Sequence, residues 1–128
     1  RCHHYGYWQS PSIGWMLKEP HRVVRDHMDA VLSGDPVAMA ADYAPGAVLE
    51  RGGVVYEGRD AIEAYFATVS ARLGAARVVF DGLSVDDCIA TFRWHLDGSD
   101  RPASGTDVCT LEDGSIVHHT VRLSTTDF

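Results

Sequence analysis

Two side chains that could exchange a proton lie near the C-terminal end of the sequence. Residues 105–123 read as two strands joined by a turn at Asp113-Gly114-Ser115, because apolar and polar residues alternate with a period of two on both sides. A three-residue hairpin loop predicts three cross-strand pairs: Leu111 with Val117, Cys109 with His119, and Asp107 with Val121. Asp107 and His119 then face the same way, as diagonal neighbours about 7–8 Å apart. A carboxyl and an imidazole at that spacing could both reach one small substrate.

Each of these residues also has a purely structural interpretation. Asp107 could bond to a backbone group, and His119 could be a core histidine with a satisfied ring. Their shared orientation on an apolar face favours a site, because a few convergent polar groups in an apolar pocket are typical of binding sites. The interpretation depends on the register, since a slip of one residue would send these side chains to opposite faces.

Three segments carry apolar residues at helical spacing and predict helices. The first begins at Pro20 and ends at Gly34, the second begins after the N-cap Asp35 and ends at Pro45-Gly46, and the third ends at Gly74. Their inward stripes are, in chain order, Val24, His27/Met28 and Val31; Val37, Met39/Ala40 and Tyr43; and Ile62, Tyr65/Phe66, Val69 and Leu73. His27 therefore lies on or beside a buried stripe, either as a core histidine or as part of a site.

Strands account for most of the remaining sequence. Gly52-Gly53 between residues 47–51 and 54–57 predicts a hairpin, and residues 77–80 and 83–85 lead to a turn at Asp86-Asp87. One face of residues 88–96 is apolar: Cys88, Ala90, Phe92, Trp94 and Leu96. Three helices and mostly antiparallel strands indicate an α+β fold in which helices cover one sheet face and leave a pocket at the mouth. The pocket candidates are Asp107, His119 and His27 as catalytic groups, and Tyr43, Phe66, Phe92, Trp94, Cys109 and Val121 as substrate contacts.

The composition limits the classes of partner. A chain of 128 residues can bury a core as one domain, and its net charge of -7 argues against nucleic acid or an anionic membrane as a partner. No apolar stretch approaches the ~20 residues of a membrane-spanning helix. The three cysteines, Cys2, Cys88 and Cys109, are an odd number without CxxC spacing, so we expect neither disulfides nor a zinc site, and a cytoplasmic location.

No cofactor or metal is expected from the motifs. The sequence contains no GxGxxG, P-loop or HExxH pattern. His118 and His119 are neighbours on one strand and point to opposite faces, so they cannot share a metal.

The domain organisation is expected to be simple. Residues 1–15 lack periodicity and a secretory signal, and they form an N-terminal arm of uncertain origin with four aromatic side chains: Tyr5, Tyr7, Trp8 and Trp15. Residues 16–128 are expected to form a single domain.

Several segments, in the order derived above, resemble the NTF2-like superfamily. They are Ser33-Gly34-Asp35, residues 43–49 (YAPGAVL) and residues 56–62 (YEGRDAI). Residues 105–108 followed by 113–119 resemble the SnoaL-type polyketide cyclases and their relatives. The resemblance spans about residues 20–124 and implies a cone-shaped NTF2-like (cystatin-like) fold, with three N-terminal helices packed on a curved, mostly antiparallel sheet. The superfamily includes cyclases, ketosteroid isomerases, limonene-epoxide hydrolases, dehydratases and transport factors, so the fold leaves the function open.

The resemblance also implies roles for particular positions. Asp107 is similar to the carboxyl that is the pocket acid or base in cyclases and an oxyanion donor in ketosteroid isomerases. His27 occupies the place of the isomerases' oxyanion-hole tyrosine, and His119 resembles the histidine of a Glu-His-Trp-Asp stretch in SnoaL-like sequences. The isomerases' general-base Asp falls near Arg51, which cannot accept a proton, and the epoxide hydrolases' last-strand Asp falls near Val121. Both departures count against those two activities.

Two protonation states of Asp107 are open. Desolvation in an apolar pocket would raise its pKa and make it a proton donor. A protonated His119 nearby would keep it ionised as a base. If Asp107 is functional, its replacement by Asn is expected to leave stability unchanged or raised while binding or turnover falls.

Three functions fit these observations. The first is a cofactor-free enzyme that isomerises, cyclises or opens an epoxide on a compact apolar substrate. The alternatives are a small-ligand-binding protein and a dimeric adaptor. An open pocket lined by Asp107 would favour the enzyme, and a closed one filled by Trp94 and Phe92 the adaptor. A homodimer through the outer sheet face is expected from its polar residues and from the resemblance: Thr91, Arg93, His95, Thr110, His118 and Thr120.

Overall fold

The structure is a computed structural model that describes residues 18–125, so the expectations for residues 1–15 lie outside the described part. This part contains helices α1 (Pro20–Ser33), α2 (Pro36–Ala40) and α3 (Arg59–Leu73). Its strands are β1 (Tyr43–Arg51), β2 (Val54–Glu57), β3 (Arg77–Asp86), β4 (Ile89–Asp97), β5 (Ser104–Glu112) and β6 (Ser115–Leu123). They form one sheet in the order β2-β1-β6-β5-β4-β3, in which only the β1–β6 pair is parallel. The predicted α+β class and mostly antiparallel sheet are confirmed.

The first two helices begin where the sequence predicts. Pro20 occupies the first turn of α1, and Gly34 ends that helix with a φ of 75°. The carboxylate of Asp35 accepts the backbone N–H of Val37 at 3.0 Å and caps α2.

The end of the second helix was predicted wrongly. α2 stops at Ala40, and Pro45-Gly46 lie inside β1, because the chain turns early to place β1 beside β6. The backbone N–H of Ile116 on β6 donates to the carbonyl of Asp42 at 2.9 Å and fixes this turn. Val37 is 61% exposed on this short helix instead of facing inward.

The central hairpin has the predicted pairs at the site but a different turn. Asp113 and Gly114 form a two-residue turn with φ values of 52° and 81°, which is typical of the type I′ turn, and not a three-residue loop. Leu111 therefore pairs with Ile116 instead of Val117, and a β-bulge between Thr110 and Leu111 accommodates the extra residue. The bulge restores the register, so Cys109 pairs with His119 and Asp107 with Val121.

Of the other two hairpins, the one at Gly52-Gly53 forms as predicted, and the one between β3 and β4 differs from the prediction. Gly52 and Gly53 have φ values of 57° and 81° and join β1 to β2 as predicted. β3 is one continuous strand with an irregularity between Phe80 and Gly82, where two separate strands were predicted. The turn after it lies one residue later than predicted, because Asp86 still pairs with Ile89.

The core lies between the helices and one face of the sheet, which we call the inner face. α1 packs on β3, β4 and β6, and α3 packs on β1 and β2. The inner face carries Leu49, Arg51, Phe92, Trp94, Asp107, Cys109, His119 and Val121, all buried.

Both cysteines in the described part, Cys88 and Cys109, are buried and free. No helix in residues 18–125 is long and apolar enough to cross a membrane.

Candidate functional site

Asp107 is held on the inner face by side chains from the strands on either side of it. The indole Nε1–H of Trp94 on β4 donates to Asp107 Oδ1 at 2.8 Å, and His119 Nε2 on β6 lies 2.7 Å from Oδ2. Gly105 pairs with Trp94 and makes room for its ring, since a Cβ there would lie 2.6 Å from Cζ2 of the indole. The carboxylate is therefore clamped at both oxygens, and each oxygen keeps lone-pair capacity for a further donor.

A continuous chain of polar side chains extends from Asp107 through His27 on α1 to Asp42, and we call it the polar chain. Nδ1 of His119 lies 2.5 Å from the hydroxyl oxygen of Tyr43, which in turn lies 3.4 Å from Nε2 of His27. Nδ1 of His27 lies 3.2 Å from Oδ2 of Asp42. The polar chain thus comprises Asp42, His27, Tyr43, His119 and Asp107. Its end at Asp42 has a side chain that is 11% exposed, and its other end is Asp107.

The surroundings favour opposite charge states for the two buried histidines. Burial lowers the pKa of His27, and the hydrogen bond to Asp42 offsets this only in part. Burial also opposes the charged form of His119, but the Cys109 sulfur and the contacting Asp107 carboxylate outweigh it and raise the pKa of His119 to about 10. His27 is accordingly neutral at pH 7, and His119 is an imidazolium.

These charge states give every hydrogen bond of the polar chain one donor and one acceptor. Protonated His119 donates from Nε2 to Asp107 and from Nδ1 to the oxygen of Tyr43. Burial raises the pKa of the Tyr43 phenol, so its O–H remains available to donate to Nε2 of His27. The Nδ1–H of His27 then donates to Asp42. No buried ring nitrogen in the polar chain is left without a partner, which removes the cost of orphaned polar groups.

Tyr43 is the member of the polar chain that the sequence did not single out as a polar group. It was predicted on the inward face of the second helix as a substrate contact, whereas it begins β1. The guanidinium of Arg59 at the start of α3 donates to the carbonyl of Tyr43 from Nε at 3.1 Å and from an Nη nitrogen at 2.8 Å. This anchor joins α3 to β1 and places the phenol beside His119, with the two rings nearly parallel at 9°.

A small cavity of about 70 Å³ adjoins Asp107. Its walls are His27, Val31, Arg51, Tyr65, Phe66, Val69, Val78, Phe80, Phe92, Trp94, Asp107, His119 and Val121. All three predicted catalytic residues are therefore brought together around one space. Of the predicted substrate contacts, Phe66, Phe92, Trp94 and Val121 line it, whereas Tyr43 and Cys109 are fully buried behind the wall.

The cavity combines features of both alternatives stated for the pocket. Asp107 lines it, as expected for the enzyme, while Phe92 and Trp94 narrow it, as expected for the adaptor. Its volume is well below the ~300–1,000 Å³ of typical ligand sites, so a ligand larger than a few atoms requires the wall side chains to move.

One charged residue of the cavity wall, Arg51, was not among the predicted site residues and was noted only as unable to act as the isomerases' base. Arg51 is only 7% exposed, and its Nη1 donates to the hydroxyl oxygen of Tyr65 at 3.2 Å. The signal was available in the alternation of β1, because Ala47, Leu49 and Arg51 occupy successive buried positions of one strand face.

Two further acid–histidine pairs lie on the outer face of the sheet. Nδ1 of His95 lies 2.8 Å from Oδ2 of Asp81, and Nε2 of His118 lies 3.0 Å from Oε2 of Glu50. His118 and His119 thus point to opposite faces, as their adjacency predicts. Within residues 18–125 no group of three or more His, Cys, Asp or Glu side chains is arranged to hold a metal ion.

Comparison with known proteins identifies the family of this chain. A family model of the SnoaL-like domain matches residues 24–119. A steroid Delta-isomerase of Nocardioides simplex is 36% identical over 111 residues, which cover 79% of this chain and 86% of that protein.

Solved structures show the same fold. A putative polyketide cyclase from Sinorhizobium meliloti is 26% identical with a TM-score of 0.67, over 79% of this chain and 94% of its own. An NTF2-like protein of unknown function from Mesorhizobium loti is 22% identical with a TM-score of 0.74, over 83% of this chain and 91% of its own.

Proposed function

This chain belongs to the SnoaL-like domain family, and on that premise we propose that it is a cofactor-free acid–base enzyme acting on a compact, largely apolar carbonyl compound. Asp107 is the proposed catalytic base. The observation that carries the proposal is the double clamp on this carboxylate by Trp94 and His119 in the wall of a cavity. Clamped groups that converge on a cavity are what general acid–base catalysis requires.

The contact with a charged His119 supports the base over the acid assignment. As a base, Asp107 can take a proton from a carbon that lies between a carbonyl and a carbon–carbon double bond and return it to the far carbon of that double bond. Such a transfer isomerises the substrate, and capture of the intermediate enolate by an internal carbonyl would instead close a ring. The positive charge of His119, which lines the same cavity, would stabilise the negative charge that develops on the substrate.

The other members of the polar chain act as positioning residues. Both ring nitrogens of His119 are bonded to protein groups, so it acts on the substrate through Asp107 and through its charge. Tyr43 and His27 hold the orientation of His119 from behind. Phe66, Phe92, Trp94 and Val121 are the proposed apolar contacts for the substrate.

The test is deuterium incorporation next to the carbonyl of small cyclic ketones in D₂O, followed by ¹H NMR. Wild type is expected to accelerate exchange for at least one ketone, and Asp107→Asn to lower the rate about 10²–10⁴-fold, the usual contribution of a general base. Asp81→Asn is the matched control, because Asp81 also pairs with a histidine but lies on the outer face. Equal rates for wild type and folded Asp107→Asn would contradict the proposal.

The structure changes the stability expected of Asp107→Asn. A residue that accepts two N–H bonds in the core contributes to folding, so we now expect a loss of about 1–3 kcal/mol and not an unchanged or raised stability. Rates must therefore be compared below the melting temperature of the variant.

A binding protein without turnover is the second candidate, because a mostly apolar cavity wall with a few convergent polar groups also suits ligand binding alone. In that case a ketone would shift the indole resonance of Trp94 in ¹⁵N spectra, but no deuterium would be incorporated into the ketone.

A homodimer through the outer face belongs to the same proposal. The expected contacts are Thr91, Arg93, His95, Thr110, His118 and Thr120, which suit a wet, polar interface. Dimeric mass by light scattering at tens of micromolar is the expected result, and monomeric mass at that concentration would contradict it.

A further inference from the structure

The inner face of the sheet places a cation and a base in one crosswise row. Arg51 on β1 pairs with Val121 on β6, and Val121 pairs with Asp107 on β5. Residues paired across neighbouring strands point to the same face, so the three side chains stand side by side. Two strand spacings separate the backbones of Arg51 and Asp107 by about 10 Å. All three residues line the same cavity.

Arg51 brings a permanent charge into this wall. A guanidinium stays protonated at any physiological pH, and its planar fork of N–H donors matches the two oxygens of a carboxylate. Most of the wall is apolar, and the charged side chains that line the cavity with Arg51 are Asp107 and His119.

Tyr65 extends the binding capacity of Arg51. Its hydroxyl oxygen accepts from Nη1 of Arg51, and the guanidinium carbon lies 5.9 Å from the centre of the Tyr65 ring. Since that oxygen accepts the guanidinium proton, its own O–H can point elsewhere and donate to a ligand. Burial raises the pKa of this phenol, although Arg51 opposes the shift, so the O–H is retained at neutral pH.

From this arrangement we propose that the substrate is a small carbonyl compound that also carries a carboxylate, which Arg51 and Tyr65 bind while Asp107 faces the carbon that loses its proton. The inference rests on the proposed function and specifies its substrate class. Binding of such a compound in a cavity of about 70 Å³ requires the wall side chains to move.

The experiment compares 4-oxocyclohexanecarboxylate with its methyl ester, which has the same ring and ketone but no charge. Binding is followed by ¹⁵N NMR through the Nε1–H of Trp94 and the Nε–H of Arg51. In wild type the acid is expected to bind about tenfold or more tightly than the ester, the size expected of a charge-assisted pair, and to shift both resonances. The ester is expected to shift Trp94 alone.

Variants separate recognition by Arg51 from a structural role. Arg51→Gln should remove the preference for the acid, so that acid and ester bind with similar affinity, and Arg51→Lys should retain part of the preference through its charge. Arg77→Gln is the control, because Arg77 is an exposed arginine on β3 whose side chain is 78% exposed. The wild-type comparison needs no variant, so it decides the proposal even if Arg51→Gln fails to fold.

The possible results fall into separate classes. Equal binding of acid and ester in wild type, with deuterium entering both, would overturn the carboxylate inference and leave the proposed enzyme standing. Preference for the acid without deuterium incorporation would support the inference about binding and overturn catalysis. Absence of binding by both compounds would overturn the inference for this cavity.

Discussion

Two aspartate–histidine pairs with almost the same nitrogen–oxygen distance lie on opposite faces of this sheet. The nitrogen–oxygen distance is 2.7 Å in the inner pair, His119 with Asp107, and 2.8 Å in the outer pair, His95 with Asp81. The side chains of the inner pair are 2% and 9% exposed, and those of the outer pair 45% and 41%. The distance between partners is therefore a poor guide to the role of a pair, and its surroundings distinguish the two.

The surroundings act through the cost of removing charge from water. Water screens the outer pair and can replace either partner, so its contribution to folding is about 0–1 kcal/mol. The inner pair is buried, and its charges depend on each other and on Trp94 and Tyr43. The same dependence gives the inner pair a defined protonation state, which acid–base chemistry needs.

The largest difference is expected when each histidine is replaced by glutamine. His119→Gln leaves the Asp107 carboxylate buried without its cationic partner and should lower the free energy of unfolding by about 3–5 kcal/mol. His95→Gln removes an exposed partner of Asp81 and should change it by no more than about 1 kcal/mol. Urea unfolding of both variants beside wild type measures the difference. Similar losses in the two variants would show that burial does not change the contribution of such a pair to the free energy of unfolding.

Sequence patterns predicted the inner pair because they concern neighbouring positions. Alternation with a period of two placed Asp107 and His119 on one face, and their pairing survived an incorrect turn because a bulge compensated for it. The cysteine opposite His119 was predicted by the same rule. The helix limits at Pro20 and Gly34 followed equally from local chemistry, the fixed φ of proline and the left-handed conformation open to glycine.

The rest of the site depends on contacts between distant segments. Tyr43 reaches His119 across a separation of 76 positions, and only because β1 begins at Tyr43 instead of the helix continuing. The pairing of β1 with β6 that produces this start is parallel and non-local, so no local pattern signals it. Arg51 was noted only as a departure from the isomerases' base position and not as a cavity residue, because a charged residue at the end of a strand usually faces water.

Two glycines offer a second comparison, Gly105 beside Trp94 of the inner face and Gly82 beside Arg93 of the outer face. Gly105→Ala would place a Cβ 2.6 Å from the Trp94 ring and 2.8 Å from the carbonyl oxygen of Arg122, and the second neighbour is backbone that cannot yield easily. We expect a loss of about 1–3 kcal/mol, as for overpacked cores, with displacement of the indole from Asp107. Gly82→Ala meets only the flexible end of Arg93, so its effect should stay within about 0.5 kcal/mol.

Thermal melts of both alanine variants, together with the indole resonance of Trp94, test this comparison. Only Gly105→Ala should move that resonance. A Gly105→Ala protein with wild-type stability and an unmoved indole resonance would mean that the hydrogen bond from Trp94 to Asp107 does not require glycine at position 105.

The pH dependence of stability should carry the signature of the inner pair. The pKa of His119 is about 10 in the folded state and near 6.5 when unfolded, so its contribution is complete below about pH 6.5 and is lost as the pH rises towards 10. His27 acts in the opposite sense, because its lowered pKa withdraws stability as the pH falls below about 6.5.

Urea unfolding at several pH values between about 7 and 9 isolates the effect of His119. As the pH rises, the free energy of unfolding of wild type should fall by up to about 1.4 kcal/mol per pH unit relative to that of His119→Gln, which corresponds to one proton. His95→Gln should keep the wild-type slope because the inner pair is intact. A slope shared by wild type and His119→Gln would show that His119 is not an imidazolium in the folded protein.

The smallest effect is expected in the outer pair, where the coupling between partners can be measured by itself. A double-mutant cycle of Asp81→Asn and His95→Gln should give an interaction energy of about 0.2–1 kcal/mol at low salt, in protein dilute enough to scatter light as a monomer. Because the screening length falls from about 10 Å at 0.1 M to 3 Å at 1 M salt, the outer coupling should shrink as salt is added. The equivalent cycle of Asp107→Asn and His119→Gln should be larger and nearly independent of salt, since ions cannot enter between buried partners. An outer coupling that equals the inner one and resists salt would mean that the outer face is also shielded from water, even in the monomer.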